Sequence, residues 1–189
     1  MGYTHYWDQS RDFTDAEWKN IKLKATNLLL NPSGDGQDIL DTDKEGDPWV
    51  INNDIIKFNG KNYDDLSHET FLLEKKKGDV PDWCSDEVKK KGVVFNFCKT
   101  AQKPYDKYVT AMLILADNLA PGVLHITSDG WFHEWNEGFA LANKVLPGVI
   151  MPDHIKIDPS LSARNKTQKM IDAMDIDFDS FTDKVEKWI

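Results

Sequence analysis

The stretch Phe97-Cys98-Lys99-Thr100-Ala101-Gln102-Lys103-Pro104-Tyr105-Asp106 gathers ammonium groups, a hydroxyl and a carboxylate around a proline that can open a helix. At the end of a strand, such a corner can aim Lys99, Thr100, Lys103 and the free amides of a helix start at one anion. The glycine-rich spacing of a triphosphate-binding loop is missing, so ordinary nucleoside triphosphate binding is not expected. Ser128-Asp129-Gly130 holds the equivalent place after the next apolar run. If both runs are neighbouring parallel strands, Thr100, Lys103, Asp106, Ser128 and Asp129 face one cleft. In that arrangement Lys99 or Lys103 holds an anionic small molecule, Asp106 or Asp129 orients a proton or a metal-bound water, and His5 is the acid or base available near neutral pH. The plainer reading is solvated lysines, a Thr100 that caps a turn, and a Ser-Asp-Gly that only reverses the chain.

Other chemistry is less well supplied. None of His5, His68, His125, His133 and His154 belongs to a His-Glu-x-x-His metal helix, since His133-Glu134 is followed by Glu137 where that pattern needs histidine. A tertiary group of His5, His68 and Asp129 can in principle bind a metal or relay a proton, but half-buried, hydrogen-bonded strand positions are the simpler role for His5 and His125. Asp41 to Asp47 imitates the start of a calcium loop, with Gly46 at the sixth position, until Pro48 and Asn52 break the pattern. Cys98 lies in an apolar run where burial raises a thiol pKa, and the carboxylates flanking Cys84 disfavour its thiolate. No Gly-x-Ser-x-Gly elbow is present.

The elements that must position these residues are readable in outline. Tyr3 to Trp7 has strand character. Phe13-Thr14-Asp15-Ala16-Glu17-Trp18 marks a helix start, with Thr14 and Glu17 as a capping box and Phe13 stapled on Trp18. Trp18, Ile21, Ala25 and Leu28 carry the apolar stripe until Asn31-Pro32. Residues 31–48 hold six acidic residues, three glycines and two prolines and read as an acidic loop. Strands are expected over Ile51 to Phe58, with a turn at Asn59-Gly60, and over Glu69 to Leu73. Val93 to Cys98 reads as a strand buried on at least one face, followed by a helix opened by Pro104 that turns Tyr105, Val109, Met112, Leu113 and Ala116 inward. Val123 to Thr127 and Phe132 to Val145 repeat that order. Helices are also expected over Ser162 to Met174 and Phe181 to Ile189, as an extension of residues 153–189 packed on the same core. The whole reads as one α+β or α/β domain over residues 1–189, a single mixed sheet covered by amphipathic helices.

The length of 189 residues, 40% hydrophobic and 29% charged, suffices for a core without disulfide or metal support. Two cysteines make no disulfide framework, the start lacks a basic patch followed by an apolar run, and no apolar stretch is long enough to cross a bilayer, so a cytoplasmic location is expected. A net charge of −9 argues against a nucleic-acid partner, although Lys75-Lys76-Lys77 and Lys89-Lys90-Lys91 bracket Trp83. The acidic loop, the charge, and Trp49 and Trp83 as aromatic anchors favour a non-enzymatic factor that engages a protein. The alternative is a small-molecule or nucleotide-processing enzyme with its polar cleft at two strand ends.

Gly2-Tyr3-Thr4-His5-Tyr6-Trp7, the segment Phe97 to Asp106, and Ser128-Asp129-Gly130 together resemble an uncharacterised family of bacterial and phage proteins, over much of residues 2–145. If the chain is a phage or mobile-element factor, the protein engaged in the first reading is a host protein; the resemblance itself implies that the three segments belong together around a shared site. It implies no activity.

Overall fold

The structure is a computed structural model that describes residues 2–30, 40–41, 49–61, 65–80 and 86–157. The chain divides into two compact units, Met1–Lys156 and Ile157–Ile189. The expected C-terminal helices, most of the acidic loop with its calcium-like spacing, and Trp83 and Cys84 lie outside the described residues.

Two antiparallel sheets and a helical layer make up the first unit. Strand β1 (Thr4–Gln9) is the centre of a three-stranded sheet, flanked by β6 (Val94–Lys99) and β7 (Leu124–Ser128). Both flanking strands run antiparallel to β1. They are therefore parallel to each other, as the repeated strand, corner and helix order suggests, but they bond to β1 and not to one another. The second sheet is built on β4 (Ile55–Gly60), which pairs antiparallel with the short strands β2 (Leu40–Asp41) and β3 (Val50–Ile51) and with β5 (Phe71–Glu74). The fold is thus α+β, and two antiparallel sheets replace the single mixed sheet expected, because insertion of β1 removes the parallel pairing.

Local chemistry explains most boundaries. Helix α1 (Asp15–Leu29) opens on the Thr14–Glu17 capping box, with Phe13 and Trp18 rings 5.5 Å apart. Asn52 closes the β3–β4 turn by accepting from the amides of Asp54 and Ile55, so the reversal comes before β4 and Asn59-Gly60 remain in the strand. Trp49 is half-buried against the core, which removes it as an exposed anchor. Helix α2 (Asp86–Lys91) leads into β6. Helix α3 (Asp106–Leu119) is buried without interruption from Tyr108 to Ala116, the pattern of a helix enclosed on all sides. A 3₁₀ turn (Phe132–Trp135) and helix α4 (Asn136–Val145) follow, and Gly138 lets α4 approach α3: a β-carbon there would stand 2.0 Å from Thr110 Oγ1.

Strand register decides which side chains meet. His5 is paired with Cys98 on one side and Ser128 on the other, and all three are buried. Tyr6, one residue on, pairs with Phe97 and Thr127 on the opposite, outer face. The inner face carries Trp7, Cys98 and Ile126 into the core shared with α1, α3 and α4. On the outer face Phe95 and Phe97 stay 59% and 54% exposed, so the run Val94 to Cys98 buries its other face.

Candidate functional site

The inner face of the three-stranded sheet ends in a chain of buried polar groups. His5 is fully buried, with Nδ1 2.9 Å from Ser128 Oγ and Nε2 2.7 Å from Asp106 Oδ1. Ser128 Oγ already accepts from the Gly130 amide at 2.9 Å and from Trp135 Nε1 at 3.4 Å. With two N–H groups directed at it, the Ser128 hydroxyl has its own proton left to give, and His5 Nδ1 is the acceptor. His5 consequently carries its hydrogen on Nε2 and donates it to Asp106. The Thr100 hydroxyl donates a second, short bond to the same Asp106 Oδ1. Tyr3 and Trp135 hold the imidazole edge-on, at centroid distances of 5.2 and 5.1 Å.

Backbone strain fixes the corner that delivers Thr100 and Asp106. Ala101 and Gln102 both adopt left-handed conformations, with φ of 51° and 57°. Non-glycine residues there cost about 1–3 kcal/mol each and persist where the surroundings over-determine them. The amides of Thr100 and Ala101 both donate to the Tyr3 carbonyl at 3.1 Å, which ties the corner to the start of β1. Tyr105 lies beneath it, its hydroxyl donating to the Glu69 carbonyl at 2.5 Å.

Asp106 is the member of the chain that reaches solvent, with its side chain 15% exposed. It lines a cavity of about 400 Å³ together with Tyr3, Gln102, Lys103, Lys107 and Glu134. Asp106 Oδ2 accepts no hydrogen bond among the described residues, nor does the Tyr3 hydroxyl make one, although Tyr3 is only 9% exposed. Burial first, and then the nearby carboxylates of Asp106, Glu134 and Asp129, push the Tyr3 phenol well above its ordinary pKa, so it stays a donor. Gly130 makes room for that hydroxyl, since a β-carbon there would lie 2.1 Å from it.

The residues expected at the site divide between two faces. His5, Thr100, Asp106 and Ser128 come together. Asp129 does not line the cavity; it accepts from the Thr4 amide at 3.0 Å and from the Tyr6 hydroxyl at 3.3 Å, on the outer side. Lys99 pairs with Thr4 and runs past Gly2 on that side. Lys103 reaches the cavity but is bound to Asp65. The amides of Thr100 and Ala101 are spent on the Tyr3 carbonyl, and Lys99 does not line the cavity that Lys103 reaches. His68 is exposed, and among the described residues no group of three His, Cys, Asp or Glu side chains is arranged to hold a metal. His125 is exposed and packs against His154, with centroids 4.1 Å apart and the rings tilted by 56°, three positions before Ser128 on β7. Cys98 is buried and its thiol is pushed up to about 12, chiefly by that burial.

Tyr3 is the residue the sequence reading overlooked. Its signal was the strand period, because Tyr3 stands two positions before His5 and shares its side of the chain. Comparisons with family models, with curated proteins and with solved structures find no match to this chain. Among the described residues no helix is long and apolar enough to cross a membrane.

Proposed function

We propose that this chain is an enzyme that moves a proton to or from a small polar molecule bound beside Asp106. The observation that carries this reading is the bonded series Ser128–His5–Asp106, buried at one end and open to a cavity at the other. A buried polar network of this kind specifies one orientation for its last member. His5 and Thr100 hold Oδ1, which leaves Oδ2 directed to accept a proton, while the Tyr3 hydroxyl donates to a substrate oxygen. In this reading His5 is a positioning residue, because its only acceptor nitrogen faces Ser128 inside the protein.

The test is a panel of hydrolase, isomerase and lyase substrates assayed with wild type, Asp106→Asn and Tyr3→Phe. Asparagine can keep an oxygen toward His5 and Thr100 while removing the acceptor from the cavity. Turnover should fall by about 10²-fold or more in Asp106→Asn. Turnover that survives that substitution, or its absence from wild type across the panel, would sink the reading.

The outer sheet face favours a second reading, a non-enzymatic factor that engages a host protein. Tyr6 stacks on Phe95 at 5.9 Å, and Phe97 follows at 6.0 Å. Aromatic rings left open in a row suit an interface. Specific capture of one host protein, lost in a Phe95→Ser/Phe97→Ser double variant and unchanged in Asp106→Asn, would support this reading over the first.

A further inference from the structure

We infer that the ligand of the Asp106 cavity is a vicinal diol of the kind carried by a sugar ring, an inference that rests on the reading of Asp106 and Tyr3 above. Ligand cavities are usually walled by apolar side chains with a few polar groups. Here, of the described residues that line the cavity, Pro104 alone has no hydrogen-bonding side chain. An ordinary apolar metabolite would leave these polar groups unpaired.

Charge narrows the class further. An anion entering the cavity meets Asp106, Glu134 and Glu137, and a simple cation meets Lys103 and Lys107. Most of these charges are already engaged: Lys103 is bound to Asp65, Glu134 accepts from Gln102 Nε2 at 3.0 Å and from the Trp131 amide at 2.7 Å, Asp106 Oδ1 accepts from His5 and Thr100, and Lys107 lies over the Tyr108 ring. A neutral ligand that both donates and accepts fits this mixture without leaving a charge opposed.

Tyr3 and Asp106 set the chemistry. Tyr3 offers a proton and no described residue takes it; Asp106 Oδ2 offers a lone pair and no described residue fills it. A hydroxyl satisfies both at once, accepting from Tyr3 and donating to Asp106. An adjacent hydroxyl then finds donors and acceptors among the other lining residues, Asn136 and His133 included. The same hydroxyl is the group from which Asp106 would take a proton. Free sugars and the ribose of a nucleoside share this chemistry.

Ligand-observed NMR on the full chain tests the inference, with saturation transfer to ribose and to uridine and phosphorus line broadening of inorganic phosphate. Ribose or uridine should receive transfer, and the effect should fall about fivefold in Tyr3→Phe and in Asp106→Asn, the loss expected for one hydrogen bond. Phosphate should not broaden. Transfer to both probes alike identifies the diol itself as the ligand, and transfer to uridine alone identifies a nucleoside. Failure of both sugars to bind wild type overturns the inference. Phosphate broadening that depends on Tyr3 and Asp106, with no sugar signal, also overturns it but leaves the site standing; sugar transfer equal in wild type and both variants removes the site as well. Melting curves of the two variants verify that they fold, and either one alone suffices for the comparison.

Discussion

Replacing Ser128 by alanine isolates the root of the polar chain, because Ser128 is 5% exposed and does not line the cavity. Its oxygen serves three groups: the Gly130 amide at 2.9 Å, His5 Nδ1 at 2.9 Å and Trp135 Nε1 at 3.4 Å. A buried polar group left unpaired costs about 1–3 kcal/mol. Counting the two short bonds at the low end of that range and the long one as negligible gives a loss of about 2 kcal/mol. For a unit of this size each kcal/mol moves the melting temperature by about 2–4 °C, so Ser128→Ala should melt roughly 4–8 °C lower. Calorimetry and urea unfolding provide the measurement. Nitrogen-15 NMR of the imidazole adds a readout that general destabilisation would not move: wild type should show the Nε2–H tautomer, and the variant should lose that bias. A stability change below about 1 kcal/mol, or an Nδ1–H tautomer in wild type, would refute the hydrogen-bond counting on which the orientation of Asp106 depends.

Two further outcomes follow from the same geometry. Ala101→Val should lower stability by about 1–2 kcal/mol in urea unfolding, because a β-branched residue is placed where φ is 51°. Cys98 should resist thiol reagents at pH 8 until the protein is unfolded, since burial pushes its thiol from the usual 9.0 up to about 12. Its folded pKa is the raised one, so its contribution is fully present below about pH 9 and is lost as the pH climbs toward 12. Urea midpoints measured from pH 8 upward should therefore fall, and Cys98→Ala should flatten that fall.

Much of the local structure was written in short-range chemistry. Thr14 and Glu17 announce α1 because both halves of a capping box lie within one turn, and Pro104 announces α3 because it costs a helix nothing at its start. The site was legible as a meeting of segments and not as an arrangement. Sequence spacing gives no distance between Thr4–Gln9 and the two later strands, so β1 could not be placed between β6 and β7. The parallel pair read from the repeated strand and helix order is a relation across that missing strand. Adjacent residues were also credited with one cleft, as Ser128 was with Asp129 and Lys99 with Thr100. In a strand they point to opposite faces, and the period of two alone argues against such pairs. Phe95 and Phe97 stand outward on the same alternation.

The central position of β1 has a consequence for synthesis. The bond from His5 to Ser128 joins residues 123 positions apart, and the bond to Asp106 spans 101. Strand β1 is thus made before both of its neighbours, and it must wait for two later segments before its edges are paired. Contacts of such separation are slow to form, and an unpaired strand emerging early is exposed to wrong partners. Its polar side chains Thr4, His5, Asp8 and Gln9 make it a poor seed for aggregation during that wait. A nascent chain stalled before Ser128 would hold neither the tautomer of His5 nor the aim of Asp106, so any activity at this site should switch on late in translation and all at once.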